Sequence, residues 1–200
     1  KFPIIALDVT KSASILTAVN HLLEIEGKID VLINNAGVGI TGPIEEIPES
    51  EIKLNFETNF FGPINVIKAV LPQMTERKKG HIINVGSIAG FEVYPKGNVY
   101  CASKFAIDAF TKGLRIDLNP YGIRVGAINP GLVETEFSEI RFKGDEDRAV
   151  SVYSKLDALQ AEDVANTILF MIHAPEHVSL ADITILPTAQ ASATVLNKGV

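Results

Sequence analysis

The chain is poor in several residue types, and each shortage narrows the reading. It has one cysteine, which excludes an internal disulfide framework; Cys101 reads as a packing residue. Basic residues are outnumbered, 18 Lys and Arg against 24 Asp and Glu, for a net charge of −6. A nucleic-acid partner is not expected, because neutralising backbone phosphates takes a surface rich in Lys and Arg. No run of eighteen apolar residues is present, so no helical membrane span is expected, and no Asn-x-Ser/Thr acceptor occurs. There are no internal repeats or low-complexity linkers. The expectation is a soluble, cytoplasmic protein. Its 200 residues, 46% hydrophobic, suffice for one domain with a substantial core.

Apolar runs and helical patterns alternate along the chain, the signature of an α/β protein with a parallel sheet. Strands are expected at Phe2–Leu7, Val31–Asn34, His81–Val85, Arg124–Asn129 and Ile183–Leu186. Helices are expected over Ser12–Glu26, most of Glu49–Met74, Asn98–Asn119 and Ala161–His173. Pro63 marks a kink or break in the second of these, since proline has no amide to donate.

On the third helix, Tyr100 and Lys104 stand four residues apart and share a face. A free phenol ionises near pH ~10, and a neighbouring ammonium favours the phenolate. A tyrosine tuned in this way trades a proton with an alcohol or carbonyl near neutral pH. Ser87, thirteen residues earlier, can donate a hydrogen bond to the same substrate oxygen. Asp8, Asn34–Gly37, Ser87 and Pro130–Gly131 each fall at the C-terminal end of an expected strand, the edge where open parallel sheets bind ligands.

Three other patterns are set aside. Gly37-Val38-Gly39-Ile40-Thr41-Gly42 fits Gly-x-Gly-x-x-Gly, but Pro43 to Pro48 intervene before any helix, and a dinucleotide fingerprint opens directly into one. His173-Ala174-Pro175-Glu176-His177 has the spacing of an inverted zinc-protease motif, yet Pro175 disrupts the helix that must carry both histidines, so no metal is expected. Val85-Gly86-Ser87-Ile88-Ala89 lacks the first glycine of a hydrolase Gly-x-Ser-x-Gly.

The Tyr100–Lys104 pair, Ser87, Asn34-Asn35-Ala36-Gly37 after an apolar strand, Asn59, and Pro130-Gly131 after a later strand together resemble the short-chain dehydrogenase/reductase family, over residue 2 to the C-terminus. The resemblance implies a doubly wound, Rossmann-type parallel sheet and hydride transfer between an alcohol or carbonyl and a nicotinamide cofactor. It implies catalytic roles for Asn59, Ser87, Tyr100 and Lys104, with Asn59 holding a water that relays protons from Lys104. It implies cofactor contacts at Asn34, Ala36, Gly37, Tyr100, Lys104, Pro130, Gly131, Val133 and Thr135, with Asn35 holding the sheet together. Asp8 is open between a contact to the adenine end and a cap on the helix that begins near Ser12.

The stretch from Pro130 to Ser138, then Arg141-Phe142-Lys143-Gly144-Asp145, and the tail Leu186–Ser192 are similar to NADP-dependent 3-hydroxy acid (serine or allo-threonine) dehydrogenases. This implies NADP, with NAD possible, and a small hydroxy acid or its carbonyl product. Arg141 or Lys143 would pair with the carboxylate, Arg141 offering the better bidentate fork, unless both belong to a solvated basic patch. The same resemblance implies a homo-oligomer, tetramer or dimer, built on the helices around Glu49–Met74 and Asn98–Asn119.

The family's opening strand, glycine-rich turn and helix, with a second strand and helix, is not found in these residues. A longer parent chain is expected to carry that unit of about 50 residues. In the order 3-2-1-4-5-6 its strands would lie between Phe2–Leu7 and Val31–Asn34. Residues 1–200 are therefore read as one such domain, N-terminally incomplete. A catalytically silent fragment, or a family fold used for binding or assembly, is the alternative function.

Overall fold

Four short apolar runs become the strands of one parallel sheet in the computed structural model, which describes residues 3–137, 153, 156–197 and 199. In chain order the elements are α1 (Ser12–Glu26), β1 (Val31–Asn34), α2 (Glu49–Phe56), α3 (Gly62–Arg77), β2 (Gly80–Val85), α4 (Asn98–Leu118), β3 (Ile123–Pro130), α5 (Ala161–His173) and β4 (Asp182–Ile185). The strands lie side by side as β1-β2-β3-β4. The register places Asn34 beside Asn84, Val85 beside Ile128, and Pro130 beside Ile185. Ends that carry polar residues and glycines are thus brought level.

Alternation along each strand sends its side chains to two different cores. Ile82, Ile123 and Val125 pack with α1, α3 and α4, through Ile15, Val70, Met74 and Leu118. Ile83 and Ile128 pack with Ile168 and Met171 of α5 on the other face. Each fully buried aliphatic side chain contributes about 1.5–3 kcal/mol, so the two-sided burial holds β2 and β3 at the centre. Because α5 lies opposite α3 and α4 while every step across the sheet runs the same way, the β3–α5–β4 connection has the opposite hand from the two before it.

Local chemistry sets the ends of α5. Gln160 and Asp163 form a reciprocal capping box at its start. At its end the Arg124 guanidinium donates to the carbonyls of Ile172, Ala174 and Val178. The histidine-rich segment expected as a helix terminus is therefore one, tied down from β3. His81 is buried beside Arg124; burial and the guanidinium push its imidazole down to about 4, so it is neutral at pH 7.

Two expectations need adjusting. Residues 3–7 form no strand, because a strand exists only through a ladder partner and none lies alongside them among the described residues; Ile4 is 99% exposed, and Phe2 lies outside the described residues. The break expected at Pro63 falls just after a π-helical turn, Glu57–Phe61, with proline at the second position of α3, where its missing amide is tolerated.

Candidate active site

The C-terminal ends of β1, β2 and β3 open into one cleft of about 1240 Å³. Asn35–Gly37, Val85–Ser87 and Pro130–Thr135 line it from the strand ends, and Tyr100 and Lys104 line it from the first turns of α4. Ser87 caps a short 3-10 turn, its Oγ accepting from the Ala89 amide at 3.1 Å.

Tyr100 and Lys104 are both buried, with 8% and 7% of their surface exposed. Lys104 Nζ lies 5.8 Å from the Tyr100 ring centroid and donates to the Val85 carbonyl at 2.9 Å. Burial pushes the Lys104 ammonium down to about 8. It therefore still carries its charge at neutral pH, beside the Tyr100 ring.

Asn59 projects from the π-helical turn and clamps the loop after β1. Its Oδ1 accepts from the Val38 amide and its Nδ2 donates to the Val38 carbonyl, both at 2.8 Å, with a further bond to Ser103 Oγ at 3.0 Å. The side-chain amide is thus occupied in holding backbone. The backbone carbonyl of Asn59 has no α-helical donor four residues on, because that residue is Pro63.

The two asparagines of Asn34-Asn35 stand the other way round from expectation. Asn34 Nδ2 donates to Asn84 Oδ1 at 2.8 Å, and Asn84 donates on to Thr111 of α4, so Asn34 is the side chain that ties the sheet. Asn35 lines the cleft. The strand period explains the exchange: Asn34 shares the face of Leu32 and points at α4.

Ala36, Gly37, Pro130, Gly131, Val133 and Thr135 line the cleft. Asp8 does not. Its Oδ1 accepts from the Thr10 hydroxyl at 2.6 Å and the Thr10 amide at 3.0 Å, and Lys11 pairs with Oδ2 at 3.0 Å. The Thr10 and Lys11 bonds hold its carboxyl down at about 2. It therefore organises the turn into α1. Arg141 lies outside the described residues.

Three polar lining residues were given no role of their own by the sequence. Tyr153 Oη donates to the Val133 carbonyl at 2.8 Å. Tyr94 packs on Ala89, Tyr100 and Cys101. Gln190, 5% exposed, accepts from the Leu132 amide at 2.8 Å, and a Cβ on Gly131 would lie 2.1 Å from its Oε1. Gln190 is the one long polar side chain between Pro187 and Val195, a signal visible only in retrospect.

The donor set suits the nicotinamide end of a dinucleotide. Lys104 has three N–H donors and, among the described residues, one acceptor, the Val85 carbonyl, so the buried ammonium has donors that a ribose diol would satisfy. Asn35–Gly37 and Pro130–Thr135 supply backbone on either side of it.

A sequence profile described as short chain dehydrogenase matches residues 1–146. The chain is 41% identical over 188 residues to the NADP-dependent 3-hydroxy acid dehydrogenase of Schizosaccharomyces pombe, spanning 94% of this chain and 73% of that protein. It is 40% identical over 189 residues to the NADP-dependent 3-hydroxy acid dehydrogenase of Salmonella typhi, spanning 94% and 76%. Among solved structures it is similar to the closed form of serine dehydrogenase complexed with NADP+, with a TM-score of 0.91 and 38% identity over 96% of this chain and 78% of that one.

Proposed function

This chain belongs to the short-chain dehydrogenase/reductase family, and from that premise we propose that it interconverts a 3-hydroxy acid, such as serine or allo-threonine, and its carbonyl product with NADP, NAD being the second choice. The observation that carries the reading is the buried Lys104 ammonium 5.8 Å from the Tyr100 ring, in the cleft that Ser87 also lines. The names of the relatives support the substrate class and the cofactor.

In this reading the substrate oxygen lies between Ser87 and Tyr100. The Tyr100 phenolate takes the hydroxyl proton during oxidation and returns it during reduction. Ser87 Oγ donates a hydrogen bond to the same oxygen and holds it in place. When bound, the nicotinamide accepts or supplies the hydride at the substrate carbon. Lys104 holds the cofactor ribose and keeps the phenolate accessible near neutral pH. Asn59 fixes Val38 and leaves its backbone carbonyl to hold the water that relays protons from Lys104. Asn35–Gly37, Pro130, Gly131, Val133 and Thr135 hold the cofactor around this centre. Arg141 pairs with the substrate carboxylate, its guanidinium offering two parallel donors.

The same reading makes the protein a cytoplasmic homo-oligomer, dimer or tetramer. Leu54, Phe61, Phe105 and Ile116 leave apolar surface exposed on α2, the π-helical turn and α4, which supports the association. Among the described residues no helix is long and apolar enough to cross a membrane.

The test is NADP(H)-coupled absorbance with L-serine, L-allo-threonine and 3-hydroxybutyrate, on the full-length protein. Turnover is expected, falling about 10³-fold in Tyr100→Phe. Cofactor binding without turnover on any of the three would discard the substrate. No cofactor binding would put a binding or assembly role first.

A further inference from the structure

The Gly37-x-Gly39-x-x-Gly42 run is not a phosphate-binding turn, since no helix follows it directly, and the proposed chemistry makes no use of its middle glycine. Gly39 is nonetheless buried, and its backbone φ lies outside the left-handed region that favours glycine. Space is what it provides: a Cβ there would lie 2.5 Å from Cζ and 2.7 Å from Cε1 of Phe137. Resting on the dehydrogenase reading above, we propose that Gly39 is the seat of the Phe137 ring, and that the seated ring is the wall that limits the chain length of the substrate bound at Tyr100.

The seat cannot retreat. Val38 is held by Asn59 through both its amide and its carbonyl, and the Ile40 amide donates to Oδ1 of Asn55 at 3.4 Å. Asn55 and Asn59 are themselves buried, at 0% and 2% exposure. The atoms met at Phe137, by contrast, are the far end of a rotatable side chain, on a loop whose backbone is held further back, by the Glu134 amide on the Leu159 carbonyl and by Tyr153 Oη on the Val133 carbonyl. A side chain at position 39 therefore displaces the ring and not the backbone. On its other side the ring meets Tyr100, with centroids 5.9 Å apart and planes inclined at 55°. Phe137 lines the cleft, so an apolar wall stands beside the phenol where the substrate carbon chain must extend. A pocket wall of this kind discriminates by about tenfold or more for each methylene it excludes.

The inference has two readouts, one independent of turnover. In protein carrying labelled phenylalanine and glycine, with the Phe137 ring signal identified by its loss in Phe137→Leu, nuclear Overhauser contacts from that ring to the Gly39 α-protons and the Tyr100 ring are expected. Gly39→Ala should abolish the contact to Tyr100. The ratio of kcat/KM for 3-hydroxypentanoate, one methylene longer, over 3-hydroxybutyrate should then rise about tenfold in both Gly39→Ala and Phe137→Ala. Absence of the contacts in the unmodified protein overturns the seat. An unchanged ratio in both variants, with turnover intact, overturns the wall. Failure of the unmodified protein to oxidise any 3-hydroxy acid overturns the dehydrogenase reading and the size limit with it, while the contacts still decide the seat.

Discussion

One wall of the cleft is carried on the strand ends and on α4; the other is carried on Val133–Phe137, Tyr153 and the segment from Pro187 to Asn197. In the first, polar side chains reach across the sheet and its helices in an unbroken series. Asn34 bonds Asn84, Asn84 bonds Thr111, and Thr111 bonds the Ile107 carbonyl one turn back in α4, all with little exposure. In the second, loop backbone pairs with loop backbone, the Glu134 amide with the Leu159 carbonyl and the Leu159 amide with the Leu132 carbonyl, and separate side-chain bonds are added to these. Gln190 takes the Leu132 amide, Tyr153 the Val133 carbonyl, and Glu92 the Ala193 amide at 2.7 Å. The difference separates two demands on one site. Proton transfer needs atoms fixed to a fraction of an ångström, whereas admitting and covering a substrate needs a surface that can shift at modest cost.

The largest effect is expected from the rigid wall. Lys104→Met should lower kcat about 10²-fold. It should also stabilise the protein by about 3 kcal/mol at pH 7, because burial pushes the ammonium from 10.5 down to about 8 and methionine removes that cost. Between those two pH values the unfolded chain binds the extra proton. The stability of the unmodified protein therefore rises with pH through that window, and the advantage of the variant shrinks. Urea unfolding at pH 7 and pH 10 measures both, and a constant difference would contradict the buried charge.

Next comes Asn59→Ala. It leaves the Val38 amide and carbonyl without partners, at about 2–3 kcal/mol. The rigidity of the wall would be misread if urea midpoints showed a loss as small as that of a surface substitution. Gln190→Ala sharpens the contrast from the other side. Losing the bonds to the Leu132 amide and the Ser192 carbonyl costs about 1–2 kcal/mol, and KM for the cofactor should rise about fivefold with kcat nearly unchanged. A drop in kcat matching that of Lys104→Met would erase the distinction between the walls. Asp8→Ala lies outside both and should leave turnover untouched. Its carboxyl is held at about 2 against an ordinary 3.8, so any stability it gives is present above pH 3.8 and fades as pH falls toward 2. Acid unfolding curves that separate above pH 3.8 and converge near pH 2 are the expected sign.

Much of the rigid wall was legible because its spacing is local. Ser12–Glu26, Val31–Asn34 and Ala161–His173 have the bounds their hydrophobic periods indicate. Tyr100 and Lys104 lie four apart on a helix that any reading of Asn98–Leu118 would draw. The loop wall was not legible. Gln190 reaches Leu132 across 58 residues, and no local pattern announces a partner that distant. The assignment of Asn34 and Asn35 also went astray for a physical reason. Which of two adjacent strand residues faces the helices depends on a register fixed by the neighbouring strand.

What the sequence alone determined was the order of elements, the parallel α/β class, and the residue types with proton-transfer chemistry at spacings a helix and a strand end impose. Those follow from backbone periodicity and covalent chemistry, which act over a few residues. Tertiary structure alone decided that Lys104 is buried enough to lose pKa, that Asn59 grips Val38, that α5 covers the opposite face, and that Gly39 lies against Phe137. Each of these is a contact between segments far apart in the chain, and its existence depends on how two cores pack on the two faces of one sheet.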